Sequence, residues 1–280
     1  MKSKQKQSLL TLTEAAMMLA MGTVLSLLKL VDLPYGGSIT LASMLPLVVF
    51  AYRHGLLWGL GLGVVHGGLQ QLLGLNTLSY VTTWQSILAV IFLDYVLAYA
   101  CMGVAGAFRH SRHPFAPVLG GVLGCVLRYI CHVFSGATVW AGISIPTAAA
   151  MAYSIGYNAT YMLPETLVLT VCLFYLCGNL DLQKAIPTRR RHAITDTVTA
   201  VLYLICGLLL AGALVYDTVA FFPCLQDAES GEFVFANAKN APFGLMGIVT
   251  GATILVCVVL VVIARFRKKT DNQENSGKTA

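Results

Sequence analysis

The chain has 280 residues, 57% of them hydrophobic and only 11% charged, with a mean hydropathy of +0.76. A soluble globular domain carries about 25% charged residues, so the composition excludes that class and places the chain in a bilayer. The net charge of +6 does not point to nucleic acid, because the basic residues sit between apolar segments, where they set orientation.

A span needs about 20 mostly apolar residues. In chain order the sequence predicts spans at 9–31, 39–52, 55–74, 84–108, 115–136, 151–177, 196–221 and 243–264. The second is short and contains Pro46, which predicts a broken or tilted helix shielded from lipid. With the N-terminus inside and the spans alternating, the inner side receives Lys2, Lys4, Lys6, Arg53, Arg109, Arg112, Lys184, Arg189, Arg190, Arg191, Arg265, Arg267, Lys268 and Lys269. The outer loops receive only Lys239, beside Asp227, Glu229 and Glu232. Such asymmetry predicts an even number of spans and cytoplasmic termini. No small-residue cleavage site follows the first apolar run, so no cleavable signal peptide is expected.

No internal repeat is evident. The expected organisation is a six-helix core over 1–182, a basic cytoplasmic linker over 183–195, an extra transmembrane pair with an outer loop over 196–264, and a polar cytoplasmic tail over 265–280. The eight cysteines form no CxxC pair and no metal-type spacing. They read as small apolar side chains within helices, and no metal or cofactor is expected.

Ionisable groups within a span are costly unless they face protein or water. In the first six spans they are Glu14, His66, Asp94, Arg128, His132 and Glu165; Lys29, with Asp32, lies at an outer helix end and can snorkel, and Asp217 belongs to the seventh span. Glu14 reads as a first-turn acid favoured by the helix dipole. Arg128 and His132 share one helix face, four residues apart. Arg128 is positioned to neutralise Glu165 or Asp94. The stretch "YSIGYNATYMLPE" (153–165) repeats a tyrosine at every fourth position, Tyr153, Tyr157 and Tyr161, reaches Glu165 at the next, and contains Asn158 and the helix-breaking Pro164.

Asp94, His132, Trp140, Tyr153 and Asn158 map to the outer half, with Trp84 and Tyr95 at similar height and Trp140 in the loop after the fifth span. An interfacial aromatic belt explains the rings alone, but such a belt needs no aspartate, histidine and asparagine at its level. Together they describe a pocket with a few placed polar groups inside an aromatic cage, suited to a flat, partly cationic ligand.

The segments "FLDYVLAY" (92–99), "HVFSGATVWAG" (132–142) and "YSIGYNATYMLPE" resemble the thiamine-specific substrate-binding subunit, or S-component, of energy-coupling factor vitamin transporters, over about residues 8–180. The resemblance implies six membrane helices, a thiamine site near the outer surface, and a loop between the first two helices that covers it. It implies ligand contacts at Asp94, Tyr95, His132, Trp140, Tyr153 and Asn158, with Trp84 and Tyr35 as further aromatic positions. Asp94 would meet the ligand's cationic and amino groups, and Trp140 would stack on a ring. Ala16 and Ala20, with Ala15 alongside, match the small-residue pattern by which such subunits pack on a transmembrane coupling subunit. The implied partners are that subunit and two ATPase subunits. The chain itself carries no GxxxxGK[ST]. Residues 196–264 depart from the six-helix pattern. If the pocket lies in the first six spans, removing 196–280 is expected to spare binding.

Three rival readings stand beside this one: an S-component for a thiamine precursor or another vitamin, an intramembrane enzyme, and a self-sufficient secondary transporter. The enzyme lacks support from HExxH or GxSxG motifs, and the secondary transporter lacks repeated halves. The expectation is therefore an all-α plasma-membrane protein that captures a ligand without catalysing a reaction.

Overall fold

The computed structural model describes residues 2–33, 36–111, 113–142, 147–189, 197–225, 227 and 234–277. Tyr35 and the basic residues Arg112, Arg190 and Arg191 lie outside the described residues, as do the acidic loop residues Glu229 and Glu232 and the linker beyond 189.

Seven helices among the described residues are long and apolar enough to cross a membrane, and only two short hairpins accompany them. The chain is an all-α membrane protein. Helix α1 (Lys2–Leu27) leads into strand β1 (Lys29–Asp32), which pairs antiparallel with β2 (Ser38–Thr40). Residues 29–31, assigned from hydropathy to the end of the first span, are therefore extended. Because α1 begins at Lys2, Glu14 lies well inside it. Its partners are Arg53 and His54 (2.9 Å to the ring Nε2), so an ion pair rather than a first-turn dipole accounts for this acid.

The expected second span is built in two parts. Helix α2 (Leu45–His54) has Pro46 in its first turn and ends at Gly55, whose φ of 97° favours glycine. Ten residues make about 15 Å of helix, half a bilayer core. The extended segment before it covers the remaining depth. Irregular backbone at membrane depth is tolerated where protein or a cavity surrounds it, and Ile39, Leu47, Val48, Phe50 and Ala51 are all buried.

Helix α3 (Leu56–Leu73) returns beside a helical rod, α4 (Trp84–Phe108). The rod changes pitch along its length. Thr83 caps its start by accepting from the Ser86 N–H at 3.2 Å. The turns widen to a π-helix over Val90–Leu97 and tighten to 3-10 over Cys101–Phe108. Glycines at every fourth position of α3 let the two backbones touch: a Cβ on Gly63 or Gly67 would stand 2.4 Å from the carbonyl oxygen of Tyr99 or Tyr95. Gly59, Gly63 and Gly67 thus serve as close-packing positions between α3 and its neighbours.

Helices α5 (Ala116–Gly142) and α6 (Thr147–Asn179) form the most extensive helix pair. Helix α6 runs on through Pro164 instead of breaking there. Helix α7 (Thr197–Leu225) packs on α6, and α8 (Phe243–Gly277) packs on α7. Among the described residues neither extra helix packs on α1.

The two ends of the bundle differ. At the basic end, Arg53 bonds Glu14 and the carbonyls of Leu182, Lys184 and Ala185, while Arg109 donates to the His54 carbonyl at 3.1 Å. At the opposite end lies the β1–β2 hairpin.

Candidate functional site

A cavity of about 480 Å³ opens at the hairpin end, between the hairpin, the end of α3, the 3-10 turn Leu75–Tyr80, and α4, α5 and α6. Its polar groups fall into two poles.

The first pole joins α4 to α5. The widened π-turns of α4 carry Asp94 and Tyr95 at the cavity; such turns recur at functional sites. His132 donates from Nδ1 to Asp94 Oδ1 at 2.7 Å. That bond directs Nε2 away from the carboxylate, and Nε2 has no protein partner among the described residues. Tyr95 is held by a 3.2 Å bond between its hydroxyl and that of Thr77.

The second pole is deeper. Arg128 Nη1 lies 3.0 Å from Glu165 Oε2, and the guanidinium sits 4.8 Å from the Tyr99 ring centroid. Glu165 Oε1 accepts from the Thr40 hydroxyl at 2.7 Å and from its N–H at 3.1 Å. Of the two partners foreseen for Arg128, the structure selects Glu165. A buried ion pair is steadied by further hydrogen bonds: Thr40 satisfies the second carboxylate oxygen, while Arg128 Nε has no hydrogen-bond partner among the described residues.

The charged groups at the cavity are all paired. Arg128 and Glu165 neutralise one another, and Lys29, also on the lining, pairs with Asp32 at 2.8 Å. Among the described residues Asp94 has only the His132 ring as its partner, which makes its carboxylate the acid best placed to meet a cation.

Helix α6 supplies the far wall. Tyr153, Tyr157, Tyr161 and Glu165 are all buried on one face of it. Asn158 knits this helix to α5: its amide donates to the His132 carbonyl at 3.2 Å and to Ser154, and its Oδ1 accepts from Tyr161 at 2.5 Å. The helices come this close because Gly136 has no side chain; a Cβ there would lie 2.4 Å from Ser154 Oγ. The Tyr157 hydroxyl accepts from the Gly37 N–H at 2.9 Å, so the hairpin is pinned across the cavity at two points, Tyr157 and Glu165.

Of the sequence-predicted residues, the structure brings Asp94, Tyr95, His132, Trp140 and Asn158 to the cavity. Trp140 is not in a loop. It lies in the last turns of α5, buried, with its ring 4.5 Å from that of Tyr153. Tyr153 itself is 1% exposed and stands behind the cavity wall, stacked 6.2 Å from Tyr157. Trp84 is 66% exposed and does not line the cavity: the first turn of α4 turns it outward. Tyr35 lies outside the described residues.

His66, also on the sequence list, lies away from the cavity wall. It is fully buried, 5.0 Å from the Tyr99 ring, with neither ring nitrogen hydrogen-bonded among the described residues. Tyr157, Tyr161, Thr40 and Gln70 line the cavity without having been singled out as ligand contacts. The four-residue tyrosine spacing already placed the first two beside Tyr153; Thr40 and Gln70 carry no local signal. On α1, Ala16 and Ala20 face outward, whereas Ala15 is 8% exposed and packs inward, which removes it from the expected docking stripe.

The chain is 29% identical over 187 residues to Thiamine transporter ThiT of Bacillus subtilis (strain 168), covering 61% of this chain and 93% of that protein. Residues 12–184, which include every cavity-lining residue and end before α7, match the family described as Thiamine transporter protein (Thia_YuaJ). That match spans more than half of the chain, and the chain belongs to the thiamine transporter protein family.

Proposed function

We propose that the chain is the thiamine-binding membrane subunit of an ATP-driven energy-coupling factor transporter, capturing thiamine outside the cell and releasing it inside. The observation that carries this reading is a carboxylate, Asp94, held by His132 beside an aromatic wall in a cavity at the end opposite Arg53 and Arg109. Thiamine joins a cationic ring to an amino-substituted pyrimidine. Asp94 supplies the charge partner, His132 holds that carboxylate in place, and Trp140 and Tyr157 bring aromatic rings to the cavity, each worth about 0.5–2 kcal/mol in contact with a cation. No bond is made or broken, so the role is binding and release.

The positive-inside distribution supports a plasma-membrane orientation with both termini cytoplasmic and the cavity facing out. Energy for release comes from partners, a transmembrane coupling subunit and two ATPases. The outward-facing Ala16 and Ala20 on α1 support docking on the first of these. The hairpin acts as the outer cover, since its bonds to Tyr157 and Glu165 must part for a ligand to pass.

Isothermal titration of the purified protein with thiamine, its pyrimidine fragment and its phosphates tests the assignment. The reading requires saturable thiamine binding at micromolar concentration or below. Tighter binding of the pyrimidine alone would reassign the ligand to a precursor, and absence of heat with all of them would overturn the reading.

A further inference from the structure

The two helices beyond the family match do not stand apart from the site. Phe222, near the end of α7, is 9% exposed and packs edge-on against two rings of α6, with centroids 5.9 Å from Tyr153 and 5.7 Å from Tyr157. Tyr153 in turn supports Trp140 at 4.5 Å, and Tyr157 holds the hairpin through the Gly37 N–H at 2.9 Å. A Cβ on Gly37 would lie 2.6 Å from the Tyr157 hydroxyl, so the cover is closed directly onto that ring. Without Phe222 each tyrosine loses one edge-on ring contact, and the Tyr157 side chain gains freedom to leave its hydrogen bond.

The geometry points to Phe222 as a positioning residue for the binding site: the added helix pair completes the wall behind Tyr153 and Tyr157 and thereby sets how firmly the hairpin covers the ligand. The inference rests on the thiamine-binding reading for its ligand, but the closure of the hairpin is measurable without one. Phe222 touches the wall and not the cavity, so its effect falls on ligand release more than on recognition.

A neighbouring residue provides the control. Phe221 packs at a tilt against Phe243 of α8, ring centroids 6.0 Å apart, so Phe221→Ala loosens the extra pair without stripping the two tyrosines. The experiment uses the full chain in nanodiscs, with hydrogen exchange at the Gly37 amide and stopped-flow dissociation of thiamine as readouts. Phe222→Ala is expected to speed both by about tenfold, the order that two aromatic contacts represent. Phe222→Leu, which refills the space, is expected to recover most of the loss, and Phe221→Ala to leave both rates at wild type. Tyr157→Phe should also speed exchange, and adding Phe222→Ala to it should add little, because both act through one bond. Wild-type rates in Phe222→Ala, or equal acceleration by Phe221→Ala, would overturn the inference. Failure of the wild-type protein to bind thiamine would instead remove the functional reading, while exchange at Gly37 still decides the role of Phe222.

Discussion

His132 and Asp94, on different helices, meet through a 2.7 Å hydrogen bond that occupies Nδ1 of the histidine and leaves its Nε2 buried without a protein partner among the described residues. The bond does two things at once. It fixes the imidazole orientation, and it draws the carboxylate to the α4–α5 seam. Under the proposed function, the charge of Asp94 separates a cationic ligand from a neutral one of the same shape. Asp94→Asn is expected to weaken thiamine binding by about ten- to a hundredfold, the scale of a charge-assisted bond. Its loss for the neutral pyrimidine fragment should be several times smaller. Calorimetry on both ligands checks this, and equal losses would place Asp94 away from the cationic ring.

The deeper ion pair has a different purpose. Arg128 and Glu165 are each 7% exposed in their side chains, and together they add no net charge to the cavity. Removing one partner leaves the other charged inside the membrane. Arg128→Met is expected to cost about 3–5 kcal/mol of stability, read as a lower unfolding temperature in detergent. The double change Arg128→Met with Glu165→Gln should recover much of that loss, because no lone charge remains. The bond from Thr40 to Glu165 means the single variants also loosen the hairpin. A double variant no more stable than Arg128→Met alone would show that the pair is not what holds this region.

The sequence revealed the spans and the polar level of the site, because hydropathy and intramembrane charge are local signals. What it missed was decided at long range. The hairpin is held against the bundle by Thr40 and Gly37, whose partners lie 125 and 120 residues away, and the apolar run through residues 28–31 gives no hint that its backbone is extended. Trp140 looked like a loop residue because hydropathy falls after residue 136. A helix face packed on protein need not be apolar, and Gly136 and Ser154 pack where a lipid-facing helix would place larger groups. Trp84 and Tyr153 share the height of the site but not its direction, which depends on how each helix is rotated. The extra helix pair looked dispensable for the same reason: nothing near Phe222 in the chain signals that it reaches Tyr153 and Tyr157.

Tryptophan placement yields an optical test. Trp140 lines the cavity and is buried, whereas Trp84 and Trp58 are exposed on the outer surface of the bundle. Thiamine binding is therefore expected to quench the emission of Trp140 alone. Quenching should persist in Trp84→Phe and Trp58→Phe and vanish in Trp140→Phe. Fluorescence titration of the three variants checks this, and quenching that disappears with Trp84 would move the ligand to the start of α4.

Helix α1 provides the last test, and it separates binding from transport. Ala16 and Ala20 face outward while Ala15 packs into the core. Large apolar side chains flank them, including Leu12, Met17 and Val24, all exposed. Because neither α7 nor α8 packs on α1 among the described residues, the added helices leave this face open. Small residues let a partner helix approach closely in lipid, where packing rather than water exclusion drives association. Ala16→Trp places a bulky ring on that stripe without touching the cavity. Thiamine affinity of the purified variant should equal wild type, while uptake of labelled thiamine by cells carrying the coupling module should fall at least tenfold, as a displaced helix interface implies. Ala15→Trp is expected to lower the unfolding temperature instead, since that position is filled. Normal uptake by Ala16→Trp would move the coupling subunit's footprint off α1 and leave the exposed alanines as lipid contacts.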